Sequence, residues 1–263
     1  ENSIFNRASI NVSQIQFEDQ ADKSFLSATA LSAIVHPDSP LAPSMHIHIS
    51  RTELRNGKSF WRLMADLNPS IRNDQNKSTF DNCLKEVSGE FYAKAKEEGD
   101  KYFYVPAIKE HRGVSHFYLE GFNPEGQDNS KYALDFGKAV IDCYCQIIKS
   151  NLLKNKTVSE QQKQLQLDYH TLYFYQVLTL DKGTTAGLLI HSQNDIGTLG
   201  SLPSHINRKL LKKWIEVTPK PQDNLIKRLL TVIGEQNECL ISSQVKAKIA
   251  QQVREHYTEY PMK

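Results

Sequence analysis

The stretch from Ser44 to Leu54 constrains the architecture more than any other part of the chain. Met45, Ile47 and Ile49 alternate with His46, His48, Ser50 and Thr52, the two-residue period of a strand with one buried and one polar face. Asn56-Gly57 follows as a tight-turn signal. Phe60 to Leu67 then returns as a partner strand before Asn68-Pro69 stops it. A hairpin of this kind predicts an antiparallel sheet whose aliphatic face must be covered by something apolar.

The cover is written in a different period. Over residues 75–98, Phe80, Cys83, Leu84, Val87 and Phe91 recur at three- and four-residue intervals, which predicts one amphipathic helix ending near Gly99. The same stripe returns over 132–150 in Phe136, Ala139, Val140, Cys143 and Ile147, with Asp128-Asn129-Ser130 as capping residues. Residues 25–35 form an apolar run closed by His36-Pro37 and read as a buried strand, while 102–108 and 114–122 read as extended. A polar helix over 159–168 leads into the aromatic, β-branched stretch 169–180; Asp181-Lys182-Gly183 and 184–191 then predict a second hairpin. Helical spacing with charged outer faces occupies 207–215, 223–233 and 242–257. About seven strands, mostly hairpin-connected and interrupted by long helices, make an α+β fold with one antiparallel sheet covered by helices.

Composition removes several functions. The 263 residues are 39% hydrophobic and 24% charged, enough for a sizeable core. The 32 basic side chains against 30 acidic ones form no phosphate-neutralising stripe, so no nucleic-acid partner is expected. Four cysteines without CxxC spacing argue against zinc and disulfides and for a reducing compartment. No run of 18 apolar residues occurs, and residues 1–14 alternate without the apolar core of a signal peptide, so no membrane span is expected. GxGxxG, GxxxxGK[ST] and GxSxG are absent from the sequence, leaving dinucleotide, P-loop and serine-hydrolase mechanisms unsupported.

Strand alternation places His46, His48 and Ser50 on one face, where two imidazoles either ligate a metal, exchange protons, or serve as ordinary hydrogen-bonded strand residues. Asp66 ends the partner strand as either a turn cap or an active-site acid. Register separates the two. A two-residue Asn56-Gly57 loop puts Ala65 and Leu67 on the histidine face, whereas a three-residue loop or a bulge puts Asp66 there. Arg112-Gly113 offers a guanidinium for a carboxylate beside a glycine that lets the backbone approach closely.

The segment from Ser32 to His46, with His36-Pro37-Asp38-Ser39-Pro40-Leu41-Ala42-Pro43-Ser44-Met45-His46, resembles the signature of oxygen-dependent coproporphyrinogen III oxidases. The order of the later pieces is also similar to that family: Asn56-Gly57, Ala65-Asp66-Leu67-Asn68-Pro69, Arg112-Gly113-Val114, Asp181-Lys182-Gly183-Thr184 and Ser201-Leu202-Pro203. The resemblance covers about residues 6–203 of a single domain over 1–263, with 204–263 as a helical C-terminal extension. It implies a large antiparallel β-sheet sandwiched between α-helices, a cytoplasmic homodimer, and oxidative decarboxylation of two propionates of coproporphyrinogen III in haem biosynthesis. Dioxygen would be the co-substrate, with no metal or organic cofactor. By the same resemblance His46 is the catalytic histidine, Asp66 the acid facing the pyrrole nitrogens, and Ser32 a substrate-contacting serine. His48 and Ser50 stand where the family has Asn and Arg, with Arg51 one place late on the opposite strand face, and Asn194 stands in the segment where the family carries an arginine. Arg51, Arg62 and Arg112 are the alternatives for pairing with substrate carboxylates. Two other readings of the same fold are a haem- or tetrapyrrole-binding protein using His46 and His48, and a tetrapyrrole reductase.

Overall fold

The alternating segments pair as expected. In the computed structural model, which describes residues 4–17, 24–126, 128–152 and 157–261, they form a five-stranded antiparallel sheet of order β1-β2-β3-β4-β7. Its strands are β1 (Phe5–Gln16), β2 (Phe25–Pro37), β3 (Ser44–Leu54), β4 (Ser59–Asn68) and β7 (Ser115–Phe122). Two short ribbons accompany it, β5 (Tyr104–Val105) with β6 (Glu110–His111), and β8 (His205–Asn207) with β9 (Glu238–Leu240). The β3–β4 connection settles the register. Leu54 N–H donates to Lys58 O at 2.8 Å and Gly57 N–H to Leu54 O at 3.0 Å, so Arg55, Asn56 and Gly57 make a three-residue loop with Gly57 at φ 79°. His46 therefore lies opposite Asp66, His48 opposite Met64, and Ser50 opposite Arg62.

β1 was not anticipated as a strand; it is the sheet edge, and Ile10 and Val12 on it are exposed. β2, expected to be buried, is mostly half-exposed, lying between the edge strand β1 and β3.

The aliphatic face carries the helices α1 (Asp74–Ser88), α2 (Tyr92–Tyr102) and α3 (Asn129–Leu152). The single helix expected over 75–98 is broken by Gly89, which has φ 55°, and continues past Gly99 to Tyr102. Gly99 serves packing rather than termination: a Cβ there would lie 2.8 Å from the Phe117 backbone nitrogen, so α2 rests directly on β7. Met45, Ile47, Leu63, Ala65, Leu67 and Phe117 meet Phe80, Leu84, Phe136 and Val140 in one buried cluster. Each of the larger of these side chains contributes about 1.5–3 kcal/mol by leaving water.

The hairpin expected over 169–191 is replaced by two helices, α4 (Glu160–Thr179) and α5 (Lys182–Ile190). A capping box between Ser159 and Gln162 starts α4. Once the segment is helical, Tyr173, Phe174, Val177 and Leu178 fall at helical spacing into a second buried cluster, so burial overrides the local β preference of aromatic residues. Asp181, expected in a hairpin turn, caps α5 by accepting from the backbone N–H groups of Gly183 and Thr184. After the short α6 (Asp195–Thr198), the three C-terminal helices appear near their expected places as α7 (Arg208–Lys213), α8 (Gln222–Val232) and α9 (Ser243–Glu259). Their Leu211, Leu225, Leu229, Ile249 and Val253 complete the second cluster. α4 reaches the polar side of the sheet, where Tyr173 packs edge-on to the His36 ring at 4.7 Å. Helices thus flank both faces of the sheet. No helix among the described residues is long and apolar enough to cross a membrane.

Candidate active site

The three-residue loop brings Asp66 under His46. Asp66 Oδ1 accepts from His46 Nδ1 at 2.8 Å, and Oδ2 accepts from Arg112 Nη2 at 2.7 Å and from Asn68 Nδ2 at 2.6 Å. Asp66 is 0% exposed. Burial alone would raise its pKa, but the Arg112 guanidinium and His46 outweigh it and hold the carboxyl at about 2. An ionised Asp66 claims the Nδ1 proton of His46, so the neutral imidazole keeps a free lone pair at Nε2, the arrangement of an oriented base.

Arg112 is itself buried at 4% exposure, its guanidinium 4.8 Å from the Phe103 ring centroid and 5.4 Å from that of Tyr173. The loop that delivers it lies tight on β4. Gly113 sits at φ 87°, and a Cβ there would meet Asn68 Oδ1 at 2.3 Å and Leu67 O at 2.7 Å. His116, opposite Asp66 on β7, fixes the same loop, because its Nε2 donates to Arg112 O at 2.8 Å and its Nδ1 meets Asp100 Oδ1 at 2.8 Å. Sequence reasoning missed the structural use of His116, Asp100 and Asn68. Asn68 was findable by alternation, two residues beyond Asp66 on the same face; nothing local linked His116 to Arg112.

The neighbouring row of the polar face holds Ser32 opposite His48, both half-buried. His48 Nε2 is buried with no hydrogen-bond partner among the described residues. Burial first, then the nearby His46 and Arg62, lower its pKa to about 4 and keep it neutral near pH 7. Ser50 lies beside Arg62, whose guanidinium grips Glu120 at 2.5 and 3.1 Å; Tyr118 donates to the same carboxylate and stacks on Tyr102 at 4.7 Å. Arg51 points to the opposite face, is exposed, and pairs with Glu53 at 2.8 Å. Asn194 is exposed in the turn after α5, with its backbone N–H on His191 O at 3.0 Å. The fold therefore gathers Ser32, His46, His48, Ser50, Asp66 and Arg112, and leaves Arg51 and Asn194 outside the group. All three arginines considered for substrate carboxylates are already engaged by the protein's own acids.

Among the described residues no three His, Cys, Asp or Glu side chains converge as metal ligands. A cleft of about 660 Å³ lies behind the Arg112 loop, lined by Ile108, His111, Leu172 and Trp214 and sharing Gly113 and Tyr169 with the site's surroundings. The proton-handling groups are on the sheet face rather than in this cleft, so the face is the candidate site.

The comparisons with known proteins agree with this geometry. The family model described as coproporphyrinogen III oxidase matches residues 1–232. An oxygen-dependent coproporphyrinogen-III oxidase of Rickettsia akari is 28% identical over 218 residues, covering 77% of this chain and 76% of its own. Another, from Rickettsia bellii, is 30% identical over 184 residues, covering 68% of this chain and 64% of its own. With the histidine motif, the aspartate beneath it and the arginine behind that in place on an antiparallel sheet, this chain belongs to the coproporphyrinogen III oxidase family.

Proposed function

We propose that the chain carries out oxygen-dependent oxidative decarboxylation of coproporphyrinogen III to protoporphyrinogen IX, as a step of haem biosynthesis. Each reacting propionate becomes a vinyl group by losing CO2 and a hydrogen with two electrons, and dioxygen is the acceptor. No metal or organic cofactor is invoked. The observation that carries this reading is the Arg112–Asp66–His46 chain, which leaves His46 Nε2 as a positioned proton acceptor on a polar sheet face. Because all of its described partners are protein donors, Asp66 is assigned to orienting His46, and contact with the macrocycle is assigned to Ser32, His48 and Ser50. Pairing of two copies is part of the reading, supported by the exposed apolar edge of β1 at Ile10 and Val12.

The test is an aerobic assay with reduced coproporphyrinogen III, following porphyrin fluorescence after oxidation of the product, with an anaerobic control. His46→Ala is expected to lose 100-fold or more of the turnover, and Asp66→Asn nearly as much, on the scale of about 10² to 10⁴ for a general base. Full activity in both variants refutes the assignment. A second reading, a tetrapyrrole-binding protein without turnover, draws support from the engagement of Arg51, Arg62 and Arg112 by internal carboxylates and from the unpartnered His48 Nε2. Absence of turnover together with a haem Soret band lost in a His46→Ala/His48→Ala variant selects it.

A further inference from the structure

If the three arginines considered for substrate carboxylates are spoken for, a ligand with several carboxylates needs cations elsewhere. Lys246 and Arg7 are two cations with no acidic partner among the described residues. Lys246 of α9 is 4% exposed, and its Nζ makes one hydrogen bond among the described residues, a long one of 3.4 Å to Gly200 O. Arg7 of β1 is half-buried; its Nε is buried without a partner, and among the described residues its guanidinium has no ion pair.

Lys246 contacts the segment 200–204 directly, and Arg7 neighbours a residue that does. Arg7 is the cross-strand neighbour of His36, whose Nδ1 meets Ser44 Oγ at 3.0 Å and whose Nε2 donates to Ser201 O at 3.1 Å. Lys246 holds the adjoining Gly200 carbonyl, and Ser9, on the same side of β1 as Arg7, lies against Gly200. Asn6 clamps the same segment by exchanging hydrogen bonds with Ser204 at 2.6 and 3.0 Å. The local field is positive without compensation: burial and then Arg7 lower Lys246 to about 8, and no carboxylate acts in the other direction. His36 is likewise lowered by burial, His170, Arg112 and Arg7, with a bond to the Ser201 carbonyl opposing.

Arg7, His36, Ser44 and Asn68 form one cross-strand row, and Ser9, Ile34, His46 and Asp66 the next, on the same face. Two strand spacings and one two-residue step put the backbone of Arg7 about 12 Å from that of His46. A carboxylate on a flexible arm of a large flat ligand spans that distance. Buried cations without an anion are costly, and a carboxylate accepting from both a guanidinium and an ammonium removes the cost. We propose that Arg7 and Lys246 form an anion-binding subsite that takes a non-reacting carboxylate of the ligand bound on the His46 face. The proposal rests on the reading of that face as a tetrapyrrole site. It also gives α9, which lies beyond the region matched by the family model, a part in binding.

Coproporphyrin III, the stable oxidised macrocycle with four carboxylates, is titrated into the wild-type protein, Lys246→Met and Arg7→Gln, following porphyrin fluorescence. Its Kd is expected to weaken about tenfold or more in each variant, the loss of one charge-assisted contact, while its tetramethyl ester binds all three proteins alike. Equal affinity for coproporphyrin III in wild type and Lys246→Met overturns the subsite. Lys246→Met also checks folding, because an apolar side chain in a buried cationic position leaves the unliganded melting temperature at or above that of wild type. Should coproporphyrin III fail to bind wild type, the tetrapyrrole reading falls, and a succinate titration decides the subsite by itself. A melting temperature that rises with succinate in wild type and stays flat in Lys246→Met retains the anion site; no rise in wild type overturns it.

Discussion

Removing either end of the buried Asp66–Arg112 pair should cost far more than removing both. The 2.7 Å contact between Arg112 Nη2 and Asp66 Oδ2 corresponds to an attraction of about 6 kcal/mol at an effective dielectric of 20, offset by several kcal/mol of desolvation for each ion. Arg112→Met leaves a fully buried carboxylate with only His46 and Asn68 as described partners, and should lose about 3–5 kcal/mol. Asp66→Asn leaves the guanidinium between the Phe103 and Tyr173 rings, which retain about 0.5–2 kcal/mol of attraction, so its cost lies toward the lower end. The double variant Asp66→Asn/Arg112→Met buries neither charge and should fall within about 2 kcal/mol of wild type, giving a coupling of at least about 4 kcal/mol. Urea unfolding of the four proteins at pH 7, compared at constant m, measures it. Losses that add to within about 0.5 kcal/mol would show that the two side chains do not act as a pair, and the orientation argument for His46 would fail with them. The double variant should also stay inactive despite its restored stability, because His46 has lost the anion that fixes its tautomer.

Acid should destabilise the fold in two stages. His48 is held at about 4 against an unfolded value near 6.5, so the unfolded chain binds the extra proton between these limits; the associated stability is present above about pH 6.5 and lost as pH falls to 4, about 3 kcal/mol for a shift of this size. Asp66, held at about 2, contributes stability that is present above about pH 4 and lost as pH falls through 2. His170, also lowered to about 4 by burial and then by His205, and His36, lowered chiefly by burial, share the upper stage, so His48→Leu should flatten that stage by about a third or less in a series of urea midpoints, and no change would contradict the burial argument. Gly113→Ala should unfold the chain or displace the Arg112 loop, since it combines φ 87° with a Cβ 2.7 Å from a backbone oxygen. A melting temperature within 2 °C of wild type would refute this close approach, since about 1 kcal/mol already moves a chain of this size by that much.

What could be read from the sequence, and what could not, follows from the range of the determining interactions. β3 and α3 were legible because a single period runs through each and one face of each is buried by its neighbours: Ile47 and Phe136 are both fully buried, and both follow their patterns. The segment 169–191 was not, since its aromatic residues favour a strand locally, and only the cap at Ser159 and a cluster assembled from α7, α8 and α9 decide for a helix. The site divides in the same way. His46, His48 and Ser50 share a face by alternation alone, whereas the side taken by Asp66 depends on whether two or three residues close the loop at Asn56-Gly57. One added residue moves Asp66 from the aliphatic face to a position under His46, and Arg112 and Asn68 are placed to hold it only there. The position also determines the carboxylate's partners: three protein donors, His46 among them, occupy its two oxygens. The residue type at position 66 was legible as an acid; its placement came from a turn about ten residues away in sequence.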